Sequence, residues 1–153
     1  MKHVLITGGS RGIGAEAVRA FAKEGYAVSF FYHKSHDKAQ EISRETGATA
    51  ICCDIADPSQ VRAAMEQLPG VDILINNAGV LDNGLKAVDS FTDDDMNRVI
   101  DINTKGTMCM MREVTGEMAK TGYGSIVNVA SVATGCFSRY SIVVFMMISA
   151  TAL

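Results

Sequence analysis

Short apolar segments alternate with amphipathic segments along most of this sequence, and that alternation limits the chain to few folds. The amphipathic segments have the periodicity of helices, with polar residues on one side. Strands that alternate with helices form parallel sheets, because a helix carries the chain back to the starting edge. The apolar segments that we interpret as strands cover residues 4–7, 27–32, 48–52, 71–76 and 125–130. The sequence therefore predicts an α/β fold built on a doubly wound parallel sheet.

Local signals mark where the helices begin and end. A helix over 12–23 is closed by Gly25, and a polar helix covers about 36–46. Asp57 and Pro58 supply a cap and a first-turn proline for a third helix. Thr92, followed by acidic residues, begins a long helical pattern over about 92–122. Its sulfur-rich stretch 108–111 is typical of a packed helix face rather than of a ligand set.

Composition excludes several classes of function. Seventeen acidic residues stand against fourteen basic ones, so no large positive field favours nucleic acid or anionic lipid. The four cysteines have no C-x-x-C spacing and, with three scattered histidines, predict no metal site. Cys52 and Cys53 are adjacent, so on a strand they point to opposite faces, as core and near-core thiols of a reducing compartment. We therefore expect a single cytoplasmic domain over 1–153 with no signal peptide.

A glycine-rich loop, "TGGSRGIG" over 7–14, joins the first predicted strand to the first helix. Glycines there allow a tight turn and a close approach to a pyrophosphate, which the free N–H groups of the helix end then bind. Glycine turns between strand and helix also occur for packing alone, so the loop leaves that alternative open.

The end of the second strand indicates which dinucleotide such a loop would hold. NAD-binding folds place an acidic residue there to bind the ribose hydroxyls. This chain instead reads His33, Lys34 and Ser35, with no acid, and Arg11 lies in the glycine loop. A basic and hydroxyl-bearing set suits the 2′-phosphate of NADP, and a guanidinium binds phosphate through two donors. The alternative for Lys34 alone is a solvated loop charge.

Five motifs occur in order, and together they resemble the short-chain dehydrogenase/reductases: "TGGSRGIG", "CDIAD", "NNAG", "DINTKGT" and "SIVNVASVA". The N-terminal part is most similar to the 3-oxoacyl-acyl-carrier-protein reductases, and the match extends to about Ala133. The resemblance implies a Rossmann-like sheet of order 3-2-1-4-5. It also implies NADP-dependent reduction of a carbonyl, 3-oxoacyl-like, to a hydroxyl by hydride transfer.

The resemblance also assigns roles to individual positions. The residues that it implies for cofactor binding, together with the set at the second strand, are Gly8, Ser10, Arg11, Gly12, Ile13, Gly14, His33, Lys34, Ser35, Asp54, Ile55, Asn77, Ala78 and Gly79. Asp54 matches the carboxylate that accepts from the adenine amine, and Asn76 looks like a residue that braces the strands. Asn103 matches an asparagine that holds a proton-relay water, Ser131 the serine that binds the carbonyl, and Tyr140 the general acid. Each has a structural alternative: Asp54 could cap a turn, Asn103 satisfy a helix kink, and Ser131 close a strand end.

The sequence departs from the family pattern four residues after the tyrosine. The family lysine lies four residues beyond the tyrosine, where it lowers the tyrosine pKa and binds the nicotinamide ribose. Here that position is Val144, and no lysine or arginine follows Tyr140. The interval from Ser131 to Tyr140 is also shorter than the family usually shows. We therefore expect weak or absent activity.

The last residues, 141–153, form an apolar tail without family pattern. The expectation is a truncated or frame-altered chain that lacks the last family strands, the substrate lid and much of the oligomer interface. At twelve residues from Ile142, the apolar stretch is shorter than the roughly 20 residues that span a bilayer, so no membrane role is predicted.

Three functional hypotheses remain open. The leading one is a reductase acting on a small-molecule or acyl-thioester carbonyl, with homo-oligomerisation weakened by the missing segments. The second is a non-catalytic NADP(H)-binding protein that acts as a sensor or as a partner of full-length relatives. The third, a methyltransferase that uses another glycine-loop ligand, is disfavoured by "NNAG" and by the missing acid after the second strand.

Overall fold

Five parallel strands form one sheet in the computed structural model, which describes residues 1–80 and 90–130 of the chain. The strands are β1 (His3–Thr7), β2 (Ala27–Tyr32), β3 (Thr49–Cys52), β4 (Ile73–Asn76) and β5 (Ser125–Asn128). Their order across the sheet is β3-β2-β1-β4-β5, and every neighbouring pair is parallel. The order reverses at β1, so the crevice between the ends of β1 and β4 is the place where open α/β sheets bind ligands. The predicted fold class and strand order are confirmed.

Helices connect the strands. They are α1 (Gly12–Lys23), α2 (His36–Thr46), α3 (Pro58–Met65), α4 (Asp93–Ile100) and α5 (Thr107–Thr121). A π-helical turn, Asp101–Gly106, joins α4 to α5. Gly47 and Gly122 end α2 and α5 in the left-handed conformation that glycine adopts without a steric penalty. Thr92 and Asp95 form a capping box at the start of α4.

The sheet is buried on both faces, and two apolar clusters cover it. On one face, Leu5 and Leu74 pack with residues of α3 and α5. On the other face, Ile6 and Phe30 pack with residues of α1 and α2. Because helices occupy both faces, polar ligands have access only at the strand ends. The carboxyl ends of the strands are therefore the place on the sheet where a polar ligand is expected to bind.

Several predicted boundaries and environments need correction. Four of the predicted strands have slightly wrong bounds. The first begins one residue earlier than predicted, and the predictions 48–52, 71–76 and 125–130 are one or two residues too long. Strand pairing, and not apolar composition, sets where a strand begins and ends. The predicted continuous helix over 92–122 contains the π-helical turn. Met108 is 48 % exposed, although Cys109 and Met110 are buried as expected. Cys52 is exposed rather than near the core, because it ends β3 and faces outward, whereas Cys53 is buried.

None of the helices in the described ranges 1–80 and 90–130 is long and apolar enough to cross a membrane.

Asp57 caps α3 and gives a test of this helix. Its carboxylate accepts hydrogen bonds from Ser59 and Gln60, and these bonds lower its pKa to about 2. Because the folded-state pKa lies below the ordinary value, the stabilisation is complete well above about pH 4 and is lost as the pH falls towards 2. We predict that Asp57→Ala lowers the melting temperature by about 2–4 °C at neutral pH.

Thermal unfolding followed by circular dichroism between about pH 2 and pH 7 measures this effect. The gap between the native chain and Asp57→Ala should close as the pH falls. Asp57→Asn is the matched control, because asparagine also caps helices but carries no titrating charge. A gap of constant size for Asp57→Ala across this range would contradict the role of the carboxylate.

Candidate functional site

A cavity of about 660 Å³ opens at the carboxyl ends of β1, β2, β3 and β4. Twelve residues that the sequence predicted for cofactor binding line it: Gly8, Ser10, Arg11, Ile13, His33, Lys34, Ser35, Asp54, Ile55, Asn77, Ala78 and Gly79. The remaining lining residues, which the sequence did not single out, are Phe31, Tyr32, Cys53, Ala56, Val80, Arg98, Asp101 and Ile102. Five separated segments of the sequence therefore meet around one volume.

The glycine loop between β1 and α1 is packed directly against the segment that follows β4. Gly8 has a φ of 69°, and a Cβ there would lie 2.9 Å from the Cα of Ala78. Gly14 is buried, and a Cβ there would collide with the carbonyl oxygen of Gly8 and the side-chain amide of Asn77. Neither Gly12 nor Gly14 lines the cavity. The contribution of Gly14 is structural, because only a residue without a side chain allows the loop to pack so closely on Asn77. Ile13 is 69 % exposed and lines the cavity.

Thr7, which the sequence analysis did not select, fastens these two segments together. Its hydroxyl oxygen accepts hydrogen bonds from the backbone N–H groups of Asn77 and Ala78, each at 3.0 Å. The Asn77 side-chain amide in turn donates to the carbonyl oxygens of Thr7 at 3.1 Å and Gly8 at 3.3 Å. Thr7 is fully buried, so no water competes for these bonds. In the sequence, the one sign of this role is that a threonine ends the first strand immediately before two glycines.

The basic side of the cavity lies where β2 ends and α2 begins. His33 and Lys34 are exposed and Ser35 is half-buried, and Arg11 of the glycine loop lines the same cavity. Beneath them, the hydroxyl group of Tyr32 lies 2.8 Å from Nδ1 of His36. This contact joins the end of β2 to the first residue of α2. The predicted basic and hydroxyl-bearing residues therefore all line one cavity.

Asp54 lies in the turn after β3 and lines the same cavity, beside His33. One carboxylate oxygen, Oδ1, accepts a hydrogen bond from the backbone N–H of Ala56 at 3.0 Å. The other, Oδ2, lies 3.6 Å from Nδ1 of His33. Oδ1 therefore caps the turn, which is the structural alternative that the sequence left open. Oδ2 lies beside His33, another residue of the cavity lining.

Asn103 lies in the π-helical turn, and both ends of its side-chain amide are bound to the backbone of Val80. Its Oδ1 accepts from the Val80 N–H at 2.8 Å, and its Nδ2 donates to the Val80 carbonyl oxygen at 2.9 Å. The Asn103 carbonyl oxygen accepts a hydrogen bond from the Thr107 hydroxyl at 3.0 Å. π-helical turns occur often at functional sites. The side chain thus positions the segment after β4 and does not itself line the cavity.

Asn76, which the sequence predicted to brace the strands, does so. Its side-chain amide donates to Oδ1 of Asn128 at 2.9 Å and links β4 to β5.

Burial of Cys53 raises the pKa of its thiol to about 12, so this cavity-lining group stays protonated at neutral pH. Within the described ranges, no three His, Cys, Asp or Glu side chains are grouped closely enough to hold a metal ion.

Two of the three predicted catalytic residues, Ser131 and Tyr140, lie outside the described residues, as does Val144. Of the catalytic set, the structure therefore locates Asn103 alone.

A protein-family model described as short chain dehydrogenase matches residues 2–144. The 3-oxoacyl-[acyl-carrier-protein] reductase FabG of Staphylococcus aureus is 36 % identical over 141 residues, covering 86 % of this chain but only 56 % of that protein. The chain thus spans little more than half the length of this relative.

Solved structures of similar proteins have the same fold. A 3-oxoacyl-[acyl-carrier protein] reductase with bound NAD from Brucella melitensis has a TM-score of 0.82 at 30 % identity, covering 92 % of this chain and 57 % of that one. A closed form of serine dehydrogenase complexed with NADP⁺ has a TM-score of 0.83 at 28 % identity, covering 90 % and 57 %. Both nicotinamide dinucleotides therefore occur among proteins that share this architecture.

Thr7 provides a direct test of the contact between the glycine loop and the segment after β4. We predict that Thr7→Val, which keeps the shape but removes the hydroxyl, destabilises the chain by about 2–5 kcal/mol, because two buried N–H groups lose their acceptor. Urea unfolding measures this loss. Thr7→Ser is the control, since it keeps the acceptor and removes only a methyl group. Equal losses in the two variants would show that packing, and not the hydroxyl, stabilises this junction.

Proposed function

The chain belongs to the short-chain dehydrogenase family, and from that premise we propose that its cavity binds a nicotinamide dinucleotide, NADP(H) in preference to NAD(H). The observation that carries the proposal is that Arg11, Lys34 and Ser35 line one cavity together with the glycine loop and Asp54. The pairing of positive side chains with a glycine-lined helix start suits a ligand that carries phosphate at two separate places.

In this proposal the pyrophosphate binds at the glycine loop, close to the backbone N–H groups at the start of α1. Asp54, Ile55, Ala78 and Gly79 line the same cavity. In the proposal, Asp54 and Ile55 bind the adenine, and Ala78 and Gly79 border the ribose. When bound, the dinucleotide would supply or accept a hydride; the residues of this chain bind it, orient it and exclude water from it.

The preference for NADP(H) rests on the residues after β2. An acidic side chain at this point would repel a 2′-phosphate and bind ribose hydroxyls, but the cavity here presents His33, Lys34 and Ser35. Since solved relatives bind either NAD or NADP⁺, the fold leaves the choice to these side chains. Lys34 and Arg11 would each form a charge-assisted contact with the phosphate and compensate part of its charge.

The reaction that we propose is the reduction of a carbonyl, of the 3-oxoacyl thioester class, at low or undetectable turnover. Similarity to the S. aureus reductase supports the substrate class. Ser131 would bind the carbonyl oxygen, Tyr140 would donate the proton, and Asn103 would hold the segment that borders the nicotinamide end. Val144 occupies the position of the lysine that lowers the tyrosine pKa in the family pattern. Without that cation, general acid–base help of roughly 10²–10⁴-fold is reduced or lost.

The same valine favours a second function, that of a dinucleotide-binding protein without catalysis. Binding residues lie in segments 8–14, 33–35, 54–55 and 77–79, all of them before the catalytic positions in the sequence. A chain with these segments can bind the cofactor and report its level, or bind it as a partner of longer relatives, with no chemistry. Affinity and turnover separate the two functions.

We predict that the chain binds NADPH with measurable affinity and oxidises it slowly or not at all when given a 3-oxoacyl thioester. Titration calorimetry measures binding, and loss of NADPH absorbance measures turnover. Turnover comparable to that of ordinary family enzymes, with kcat near the common ~10 s⁻¹, would contradict the role assigned to Val144. Tight NADPH binding with no turnover would support the non-catalytic function, and absence of binding would eliminate both functions.

Specificity for the 2′-phosphate is tested at Lys34. We predict that Lys34→Gln weakens NADPH binding by about 5- to 10-fold, since one charge-assisted contact to phosphate is lost, and leaves NADH binding within about twofold. Lys23→Gln, which removes the same charge from the end of α1, is the control and should change neither affinity. Equal weakening of NADPH and NADH binding by Lys34→Gln would place Lys34 outside the phosphate-binding set.

A further inference from the structure

We propose that Cys53 and Cys109 form an oxidative modification site, at which hydrogen peroxide converts the two thiols into one disulfide bond. Neither thiol has a role in the proposed dinucleotide binding or in the proposed catalysis. Both thiols are free in the structure. The inference concerns the chain without a bound dinucleotide, so it does not depend on the proposed function.

The two cysteines lie in the same apolar cluster, one on the sheet side and one on the helix side. Cys53 directly follows β3, and its N–H donates to the Tyr32 carbonyl oxygen at 2.7 Å. Cys109 lies in the first turn of α5. Both belong to the cluster that α3 and α5 form with one face of the sheet, and they are 2 % and 7 % exposed.

A close contact between Gly106 and Ile55 sets how these two segments are aligned. A Cβ at Gly106 would lie 2.9 Å from the Ile55 side chain and 3.1 Å from the Ile55 carbonyl oxygen. The helix that begins there returns the chain from the carboxyl end of β4 to the amino end of β5. It therefore runs antiparallel to the strands, so Cys109 comes after Gly106 in the direction in which Cys53 precedes Ile55.

The two cysteines are displaced from this contact by similar distances. Three helical residues, from Gly106 to Cys109, rise about 4.5 Å, and two residues, from Ile55 to Cys53, span at most about 7 Å. Residues i and i+3 share a face of a helix, and both Ile55 and Cys53 pack in the cluster under α5. Cys109 therefore lies over Cys53 as Gly106 lies over Ile55, and the two thiols face each other.

The surroundings of the two sulfur atoms differ and assign them different roles. Nη2 of Arg112 donates to Sγ of Cys109 at 3.4 Å and to Oε1 of Glu113 at 3.1 Å. Burial raises the pKa of Cys53 to about 12, and Cys109 is among the neighbouring groups that add to this effect. Cysteines beside cations react readily, whereas buried thiols of high pKa react slowly. Cys109 is therefore the thiol that attacks the oxidant, and Cys53 the thiol that resolves the product.

The reaction has two balanced steps. The sulfur of Cys109 attacks one oxygen of hydrogen peroxide, the O–O bond breaks, and one water leaves as Cys109 becomes a sulfenic acid. The sulfur of Cys53 then attacks the sulfur of Cys109. The S–S bond forms, the S–O bond breaks, and the hydroxyl group leaves with the Cys53 proton as a second water. The two thiols lose two electrons, and the peroxide is reduced to two molecules of water.

The disulfide would join a wall of the cavity to α5. A disulfide requires Cβ atoms about 3.5–4.5 Å apart, which is the range of two small side chains in direct contact. Since Cys53 lines the cavity and precedes Asp54 and Ile55, the bond would fasten this turn to the first turn of the helix. The high pKa of Cys53 slows the second step, so the sulfenic acid at Cys109 should persist long enough to be trapped.

The experiment treats the folded full chain with hydrogen peroxide, removes the excess with catalase and alkylates the remaining thiols before digestion. Mass spectrometry with fragmentation then identifies any cross-linked peptides. We expect the loss of two free thiols per chain and a cross-link between Cys53 and Cys109 that dithiothreitol reverses. Cys52→Ser is the matched control, because it removes the adjacent exposed thiol and should leave this cross-link in place.

Two further variants separate the steps. Cys53→Ser removes the resolving thiol, so dimedone, which traps sulfenic acids, should label Cys109 more strongly than in the native chain. Cys109→Ser should form no disulfide at Cys53. Circular dichroism checks that each variant is folded, and the result for the native chain needs no variant.

The proposal is overturned if peroxide leaves both Cys53 and Cys109 free in the folded native chain. It is also overturned if either residue is joined to Cys52 or Cys136, if the bond joins two chains, or if Cys52→Ser abolishes the cross-link. Dimedone labelling of Cys53 rather than Cys109 would reverse the assigned order of attack and so contradict the role of Arg112.

Discussion

The buried hydroxyl of Thr7 is the interaction on which the architecture of the site depends. A parallel sheet leaves the carboxyl ends of its strands as backbone groups that no ladder satisfies. At the junction of β1 and β4, the Thr7 oxygen accepts two of these N–H groups, and the Asn77 amide returns two hydrogen bonds to the glycine loop. This closed set of bonds allows the loop and the segment 77–79 to lie in contact. The floor of the cavity is formed by that contact.

From this junction the other parts of the site follow by sheet order. β2 and β3 lie on one side of β1, so the segments after them, with His33, Lys34 and Asp54, line the cavity on that side, where we propose that adenosine binds. β4 and β5 lie on the other side, where Asn76 is bound to Asn128 and Asn103 is bound to Val80. The polar residues at the carboxyl edge therefore divide into a recognition half and a half that positions the segments after β4.

The sequence predicted the strands, the order of the sheet and most of the cavity lining, because these depend on patterns that are local or on ordered motifs. It did not predict Thr7 or the π-helical turn, whose causes are contacts between distant segments. Asn103 bonds to Val80 across 23 residues, and Gly106 packs so closely on Ile55 that a Cβ there would lie 2.9 Å from its side chain. A helical periodicity continues through such a turn, so the sequence pattern alone shows no break. The exposure of Cys52 likewise depends on where β3 ends.

In the proposed function, cofactor recognition and catalysis rest on different segments of this chain, so a change in one need not remove the other. The recognition groups precede residue 80 and are supported by the junction at Thr7, by the sheet and by the hydrogen bonds of Asp54. None of these supports passes through position 144. Replacing a lysine there by valine would remove a cation near the tyrosine and a ribose contact, but would leave the pyrophosphate, adenine and 2′-phosphate contacts in place. The valine would cost one ribose hydrogen bond, whereas several charge-assisted contacts to phosphate would remain, each of about the same strength. Dinucleotide affinity should therefore survive a change that stops proton transfer.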